Sequence, residues 1–281
     1  MTLRDLLRVG EKELAAADIP EAELNAWYLF AYCFAMDRSR YFLQCDSEAG
    51  EEKTLVYRQL LECRKTRMPL EYITHETEFM GLPFYVDEHV LIPRQDTECL
   101  VEDLLPVTEG RDILDLCCGS GCIGISLAVL GGCKTVTLSD ISEEALQVAA
   151  KNADQNGVRV NVVCSDLFDR IEGRFDIIVS NPPYIPTEQI GTLMPEVREY
   201  EPHLALDGAD DGLMFYRNIV SGSRYYLRDQ GILAFETGCD QGEDILAMME
   251  GAGFCQLEIK KDLAGLDRIA RGVWRRRKEY V

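Results

Sequence analysis

The sequence has no apolar run long enough to cross a bilayer, so we expect neither a membrane-spanning segment nor a membrane partner. Its first residues, MTLRDLLR, mix charges with leucines and lack the apolar core of a signal peptide. Internal repeats and low-complexity tracts are absent too. These absences predict a cytoplasmic globular protein, and 281 residues suffice for one large domain or two smaller ones.

Basic residues are also scarce. There are 29 Lys and Arg against 49 Asp and Glu, which gives a formal net charge of −20. A protein that binds naked DNA or RNA normally presents a basic face to the phosphates. The one basic cluster, Arg275–Lys278, is more typical of a solvated terminal tail. We therefore expect no direct nucleic-acid partner, and an acidic surface suits a basic protein better.

The cysteines form no C-x-x-C pair, although there are eleven of them. In a chain without an export signal, this favours reduced, mostly buried thiols over a disulfide framework. Cys117, Cys118 and Cys122 lie close together, but no second ligand pair follows at structural-zinc spacing. The three histidines are far away in sequence. We therefore expect no metal site.

The N-terminal quarter of the chain, residues 1–68, shows a helical pattern. Thr2 and Asp5 have the spacing of a capping box, and leucines then recur at helical intervals. Pro20 is placed as the first-turn proline of a second helix, and a third helix is expected over 51–65. We interpret this region as a small helical bundle that docks a partner or supports the rest of the chain.

The sequence pattern changes from helical to extended after residue 68. Residues 69–94 form short extended pieces that predict a connecting β-hairpin. Beyond them strands alternate with helices, one of which has Ser142 as its expected N-cap, and such alternation is typical of a parallel sheet covered on both faces. The predicted strands are Ile113–Leu116, Thr135–Leu138, Val160–Val163, Phe175–Ser180 and Ile232–Phe235. The expected domains are therefore 1–68, 69–94 and 95–281.

A glycine turn, ILDLCCGSGCIG, follows the first of these strands. It satisfies G-x-G-x-x-G through Gly119, Gly121 and Gly124. Asp140 ends the next strand, where it could bind ribose hydroxyls or serve only as a turn residue. The pattern fits NAD and S-adenosylmethionine alike, because both ligands carry a ribose.

Two further acids favour the methyl donor over NAD. Asp115 lies just before the turn, where a negative charge is unhelpful beside a pyrophosphate but suits a ligand with an ammonium and a sulfonium. Asp166 ends the third strand, either as a helix N-cap or as an acceptor for an adenine amino group. Because α/β sheets bind ligands at the carboxyl edge of their strands, we expect S-adenosyl-L-methionine there.

The fourth strand ends in SNPPYI, and a turn alone would explain its two prolines. With a methyl donor at this edge, however, the Asn181 side-chain oxygen and the Pro182 carbonyl can each accept one hydrogen of a planar NH₂ group. Pro183 stiffens the scaffold, and Tyr184 can stack on that group. An amide nitrogen is a poor nucleophile, and holding both hydrogens orients it toward the methyl. These four residues are the expected catalytic residues.

NPPY together with DLCCGSG resembles the class I methyltransferases that modify planar nitrogens. Longer segments are similar to the bacterial release factor glutamine methyltransferases, the PrmC or HemK family, and cover most of the chain from Pro69 to Gly272. They are PLEYITHETEFMGLPFYVDEHVLIPRQDTE, EPHLALDGADDGLMFYRNI, GILAFETGCDQGEDI and KDLAGLDRIARG. The resemblance implies an α/β fold of the class I S-adenosylmethionine-dependent type, Rossmann-like, after a helical substrate-docking bundle. Its seven-stranded sheet would end in an antiparallel hairpin.

The resemblance also implies a reaction: N5-methylation of the glutamine in the Gly-Gly-Gln motif of class I peptide chain release factors. No general base is needed, because the methylated amide loses its proton to water. The chain departs from the family's usual residues at Gln95, Cys117, Thr237 and Leu266. The cofactor residues expected from the strand ends and the resemblance are Asp115, Cys117, Cys118, Gly119, Ser120, Gly121, Asp140, Asp166, Leu167 and Asn181.

Three other functions stay open at this point. One is a glutamine methyltransferase that acts on a large-subunit ribosomal protein. Another is a nucleic-acid amino-group N-methyltransferase, which the charge of −20 disfavours. The third is an NAD-dependent oxidoreductase. In that case NPPY would be only a turn, and Asp115 would have no role in binding the ligand.

Overall fold

The computed structural model describes residues 1–276, so the second half of the predicted basic cluster Arg275–Lys278 lies outside the described residues. The chain divides into two compact units. Within the described residues, the smaller unit comprises 1–75 and 194–200, and the larger comprises 76–193 and 201–276. The expected domain boundaries at 68/69 and 94/95 stay predictions.

Helices dominate the first part of the chain, and strands enter after residue 76. The α-helices are α1 (Leu3–Ala16), α2 (Ala22–Phe34), α3 (Arg38–Gln44), α4 (Glu51–Lys65), α5 (Leu70–Thr74), α6 (Gln95–Leu104), α7 (Cys122–Leu130), α8 (Glu143–Gln155), α9 (Thr187–Ile190), α10 (Pro195–Tyr200), α11 (Met214–Tyr226) and α12 (Gly242–Ala252). The strands are β1 (Thr77–Phe79), β2 (Leu82–Phe84), β3 (Asp112–Leu116), β4 (Thr135–Asp140), β5 (Asn161–Cys164), β6 (Phe175–Ser180), β7 (Leu227–Glu236), β8 (Phe254–Lys261) and β9 (Asp267–Trp274). Short 3₁₀ turns occupy Leu105–Val107 and His203–Ala205.

The smaller unit is helical, and its first helix starts as predicted. Thr2 Oγ1 accepts from the Asp5 N–H at 3.1 Å, and the Asp5 carboxylate accepts from Thr2 in return. This reciprocal capping box satisfies two N–H groups that the helix leaves unpaired. The fully buried Phe30 packs on Phe34 and against the edge of Tyr57 at the centre of the bundle. None of the helices within residues 1–276 is both long and apolar enough to cross a membrane.

Two details of the bundle differ from the prediction. Helix α2 begins at Ala22, and Glu21 precedes it in the left-handed region at φ 50°. Placing Pro20 in the first turn was therefore wrong, because the left-handed residue separates the proline from the helix. Helix α3, which the Asp37 side chain caps at the Arg40 N–H, was not predicted because its seven residues are too few to show a period.

The larger unit is built on a seven-stranded sheet in the order β5-β4-β3-β6-β7-β9-β8. Strands β3 to β7 are parallel, and β9 runs antiparallel to both β7 and β8. This topology confirms the class I methyltransferase fold with its terminal hairpin. The strand order reverses direction between β3 and β6, and α/β sheets bind ligands at the carboxyl side of such a switch point.

All five predicted strands are present, and β6 has the predicted bounds. Strand β7 is longer than predicted because it begins at Leu227, before the charged Arg228 and Asp229. The Ser142 hydroxyl accepts from the Ala145 N–H at 3.0 Å and so caps α8 as expected. Hairpin β1–β2 lies within 69–94, but the unpredicted α5 precedes it.

Candidate active site

A cavity of about 460 Å³ opens at the carboxyl edge of the sheet, within the larger unit. The turn after β3 forms one wall, and the turn after β6 contributes to another. The predicted site residues that line it are Cys117, Cys118, Gly119, Ser120, Asp140, Asp166, Leu167, Asn181 and Pro183. Asp115, Gly121, Pro182 and Tyr184 are not among the lining residues. The fold thus brings both sequence motifs to one cavity.

The turn after β3 has an unusual backbone. Cys117, Gly119 and Gly121 all have positive φ, at 57°, 51° and 78°. Glycine adopts this conformation at little cost, whereas a cysteine there is strained. At Gly124 the limit is space, because an added Cβ would lie 2.4 Å from Leu138 Cδ2. The third glycine of the pattern therefore lets α7 pack closely on the sheet.

Asp140 orders the turn from the end of β4. Its Oδ2 accepts from the Gly119 N–H at 2.9 Å, and its Oδ1 accepts from the Ser142 N–H at 3.0 Å. Burial raises the pKa of this carboxyl, although both hydrogen bonds oppose that effect. Each carboxylate oxygen has a second lone pair, so Asp140 can still accept from a ribose hydroxyl at the cavity surface.

Asp115 lies beneath the turn and is fully buried. Its Oδ2 accepts from the Gly124 N–H at 2.8 Å, and no hydrogen bond reaches Oδ1 within residues 1–276. Burial raises the pKa of this carboxyl to about 7. Asp115 does not line the cavity, so any attraction between it and a bound cation acts through the cavity wall. Direct contact between Asp115 and a methyl donor stays a prediction.

Three thiols line the cavity, those of Cys117, Cys118 and Cys122. Burial raises the pKa of each, that of Cys122 to about 12, so all three are neutral at physiological pH. Because the thiols are neutral, the charged side chains set the electrostatics of the cavity, and the lining acids Glu88, Asp140 and Asp166 outnumber Arg94, which favours a cationic ligand. Across residues 1–276, no group of three or more His, Cys, Asp or Glu side chains is arranged to hold a metal ion.

The turn after β6 presents Asn181 and Pro183 to the cavity. The Asn181 side chain forms no hydrogen bond within the described part of the chain, so no other residue there occupies its amide oxygen. The Ser180 hydroxyl donates to the Leu116 carbonyl at 2.7 Å and ties the end of β6 to the end of β3. Tyr184 does not line the cavity but contacts Glu236, with a distance of 3.5 Å from its hydroxyl to Glu236 Oε1.

Two further walls were not predicted as parts of the site. Both come from segments that carried the family resemblance but contain no obvious chemical motif. The first supplies Glu88, His89, Val90, Leu91, Pro93, Arg94 and Thr97, and the second supplies Pro202, Leu204, Ala205, Met214, Phe215 and Asn218. An ion pair of 2.5 Å between Arg94 and the buried Glu201 joins the two segments.

Solved structures share this fold at low identity. A methyltransferase from Pyrococcus furiosus has a TM-score of 0.54 and 17% identity over 69% of this chain and 90% of that chain. The T. thermophilus 16S rRNA N2 G1207 methyltransferase, solved with AdoMet and guanosine, has a TM-score of 0.53 and 19% identity over 72% of this chain and 50% of that chain.

Two family models match the sequence, the PrmC N-terminal domain over residues 5–74 and the methyltransferase small domain over 95–198. The release factor glutamine methyltransferase of Geobacter sulfurreducens is 40% identical, with 96% of each chain covered. Those of Clostridium acetobutylicum and Cereibacter sphaeroides are 40% and 38% identical, over 87% and 96% of this chain and 89% and 97% of theirs. The chain therefore belongs to the release factor glutamine methyltransferase family.

Proposed function

We propose that this methyltransferase transfers the methyl group of S-adenosyl-L-methionine to the side-chain amide nitrogen, N5, of the glutamine in the Gly-Gly-Gln motif of class I peptide chain release factors. The observation that carries the proposal is that the glycine turn and the turn holding Asn181 face one cavity at the switch point of the sheet. The names of relatives at about 40% identity support the substrate.

The residues of the cavity fit the methyl donor. The buried Asp115 carboxyl has an oxygen without a hydrogen bond, and the nearby thiols are neutral, so the local charge favours an ammonium and a sulfonium. Asp140 would hold the ribose, Asp166 and Leu167 the adenine, and the backbone of Cys117 to Gly121 the amino-acid part. When bound, the donor supplies an electrophilic methyl group.

Asn181 and Pro182 would bind the glutamine that receives the methyl group. The Asn181 side-chain oxygen and the Pro182 carbonyl each accept one hydrogen of the glutamine NH₂, which orients the nitrogen and leaves its lone pair toward the methyl. The same two acceptors stabilise the positive charge that develops on the nitrogen. The methylated amide is strongly acidic and loses its proton to water, so these residues need not act as a base.

We also propose that the helical bundle docks the release factor. Its support is the match of residues 5–74 to the PrmC N-terminal domain and a set of exposed apolar side chains. Tyr28, Tyr32, Phe42, Leu43 and Leu55 are each at least 45% exposed, and exposed apolar side chains mark a protein contact where they form a contiguous patch. A cytoplasmic location would follow from this substrate, since translation termination takes place there.

A labelling experiment tests the proposed function. The protein is incubated with donor carrying a radiolabelled methyl group and, in separate reactions, with a release factor, a ribosomal protein fraction, DNA and RNA. We expect label on the release factor alone, and none when its Gly-Gly-Gln glutamine is replaced by alanine. Label on a ribosomal protein instead would show that the ribosomal protein is the substrate, and an unlabelled release factor would refute the proposal.

A further inference from the structure

We propose that Glu236 is a positioning residue for methyl transfer: it contacts the Tyr184 hydroxyl and so fixes the orientation of the Tyr184 ring in the NPPY turn. The inference rests on the proposed function, since the turn matters only if it binds the acceptor. It assigns Tyr184 an anchoring role beneath the turn and gives Glu236 a role that neither the sequence motif nor the cavity wall suggests.

The register of the sheet places Glu236 beside the turn. Ser180 at the end of β6 pairs with Phe235, so Glu236, the last residue of β7, lies next to the start of the turn. Glu236 is 2% exposed, and its Oε1 lies 3.5 Å from the Tyr184 hydroxyl. Thr97, which lines the cavity, is close enough to lower the pKa of this carboxyl. Glu236 therefore lies behind the cavity wall, next to two residues of the site.

A carboxyl at this place is costly for the fold. Burial raises its pKa, and no hydrogen bond reaches Oε2 within residues 1–276. The nearby cation, Arg268, opposes this rise in pKa only in part, and its ion pairs are with Asp262 at 3.1 Å and Asp96 at 3.2 Å. An apolar side chain of similar volume would pack here at lower cost. Such an acid close to a candidate site is better explained by a role in positioning than by stability.

The main chain of Tyr184 is held separately. Its carbonyl accepts from Gln241 Nε2 at 2.9 Å. A Cβ added at Gly212 would lie 2.3 Å from the same carbonyl, so the neighbouring loop is in close contact. The backbone therefore stays in place without Glu236, and the carboxyl controls only the hydroxyl end of the ring. This division makes the two contributions separable by mutation.

The test compares Glu236→Leu, Glu236→Gln, Tyr184→Phe and the double variant Tyr184→Phe/Glu236→Leu in the full chain. Tyr216→Phe is the matched control, because this buried hydroxyl donates to the Glu236 backbone carbonyl at 2.8 Å and not to its side chain. Two quantities are measured on each folded variant: donor affinity by calorimetry, and the single-turnover rate on a release factor at saturating donor.

We expect Glu236→Leu and Tyr184→Phe each to lower the rate by up to roughly tenfold, since the contact between hydroxyl and carboxyl is lost and tenfold is the upper end for one ordinary hydrogen bond. Glu236→Gln should recover most of the rate because its amide oxygen still accepts. The double variant should be no slower than the slower single variant. Donor affinity should stay within about twofold of wild type, and Tyr216→Phe should lower the melting temperature but not the rate.

Three outcomes would overturn the inference while wild type still labels the release factor. The losses of the two single variants multiply in the double variant, Tyr216→Phe slows transfer as much as Glu236→Leu, or donor affinity falls in parallel with the rate. If Glu236→Leu does not fold, a wild-type rate in Tyr184→Phe overturns it as well. A wild-type chain that leaves the release factor unlabelled instead refutes the proposed function itself.

Discussion

Asp115→Asn separates two effects of one buried charge. The carboxyl is fully buried and has a single hydrogen bond from residues 1–276, donated by the Gly124 N–H to Oδ2 at 2.8 Å. Asparagine has nearly the same shape and can keep that bond through its amide oxygen. The substitution removes the negative charge, which opposes folding of the free protein but would favour a cationic ligand above it. Stability and donor affinity should therefore change in opposite directions.

The structure gives the size and the pH window of the first effect. The pKa of Asp115 rises from 3.8 to about 7 on folding, which corresponds to about 4 kcal/mol when the group is ionised in both states. Between these two pKa values the native state binds more protons than the unfolded state, so stability falls as pH rises and the loss is complete above pH 7. The stability of Asp115→Asn relative to wild type should thus increase by roughly 2–3 kcal/mol from pH 5 to pH 9.

Urea denaturation of wild type and Asp115→Asn at pH 5, 7 and 9 measures this increase. Asp166→Asn is the control, because it removes an exposed acid that lines the same cavity. Calorimetry should show about tenfold weaker binding of S-adenosylmethionine to Asp115→Asn, with a smaller effect on S-adenosylhomocysteine, which lacks the sulfonium charge. Parallel pH curves for wild type and Asp115→Asn would refute the argument that burial sets the charge state of this carboxyl.

Three further predictions concern the same cavity. Asp140→Ala should weaken donor binding by roughly 1.5–3 kcal/mol in calorimetry, because it removes a charged acceptor for ribose hydroxyls and frees the Gly119 N–H; unchanged affinity would make Asp140 only a turn residue. S-Adenosylmethionine should raise the melting temperature and NAD should not, since only a ligand of the folded state stabilises it; the reverse result would favour an oxidoreductase. Asn181→Ala should keep donor affinity but lower single-turnover methylation by about two to three orders of magnitude, with some activity surviving in Asn181→Asp; wild-type rates in Asn181→Ala would reduce NPPY to a turn.

The elements that carry the site were predictable because local signals specify them. Short apolar runs mark β3 to β7, and the edge of a parallel sheet brings their carboxyl ends together whatever lies between them. The glycines of the turn were recognisable because positive φ and close packing both exclude a side chain. Local sequence signals do not show, however, how deeply a residue is buried. Asp115 and Asp140 both lie near strand ends, yet the structure buries one beneath the turn and leaves the other at the cavity surface.

What the sequence could not predict depends on contacts between distant residues. Arg94 and Glu201 are 107 positions apart, and their ion pair joins two segments without a chemical motif that both line the cavity. The same holds for Tyr184, whose orientation depends on a carboxyl 52 positions later. A motif therefore identifies the residues that face the substrate, whereas the residues that hold them in place belong to other strands and become visible only through the fold. For this reason we expect substitutions at such supporting positions to slow the reaction while leaving donor affinity unchanged.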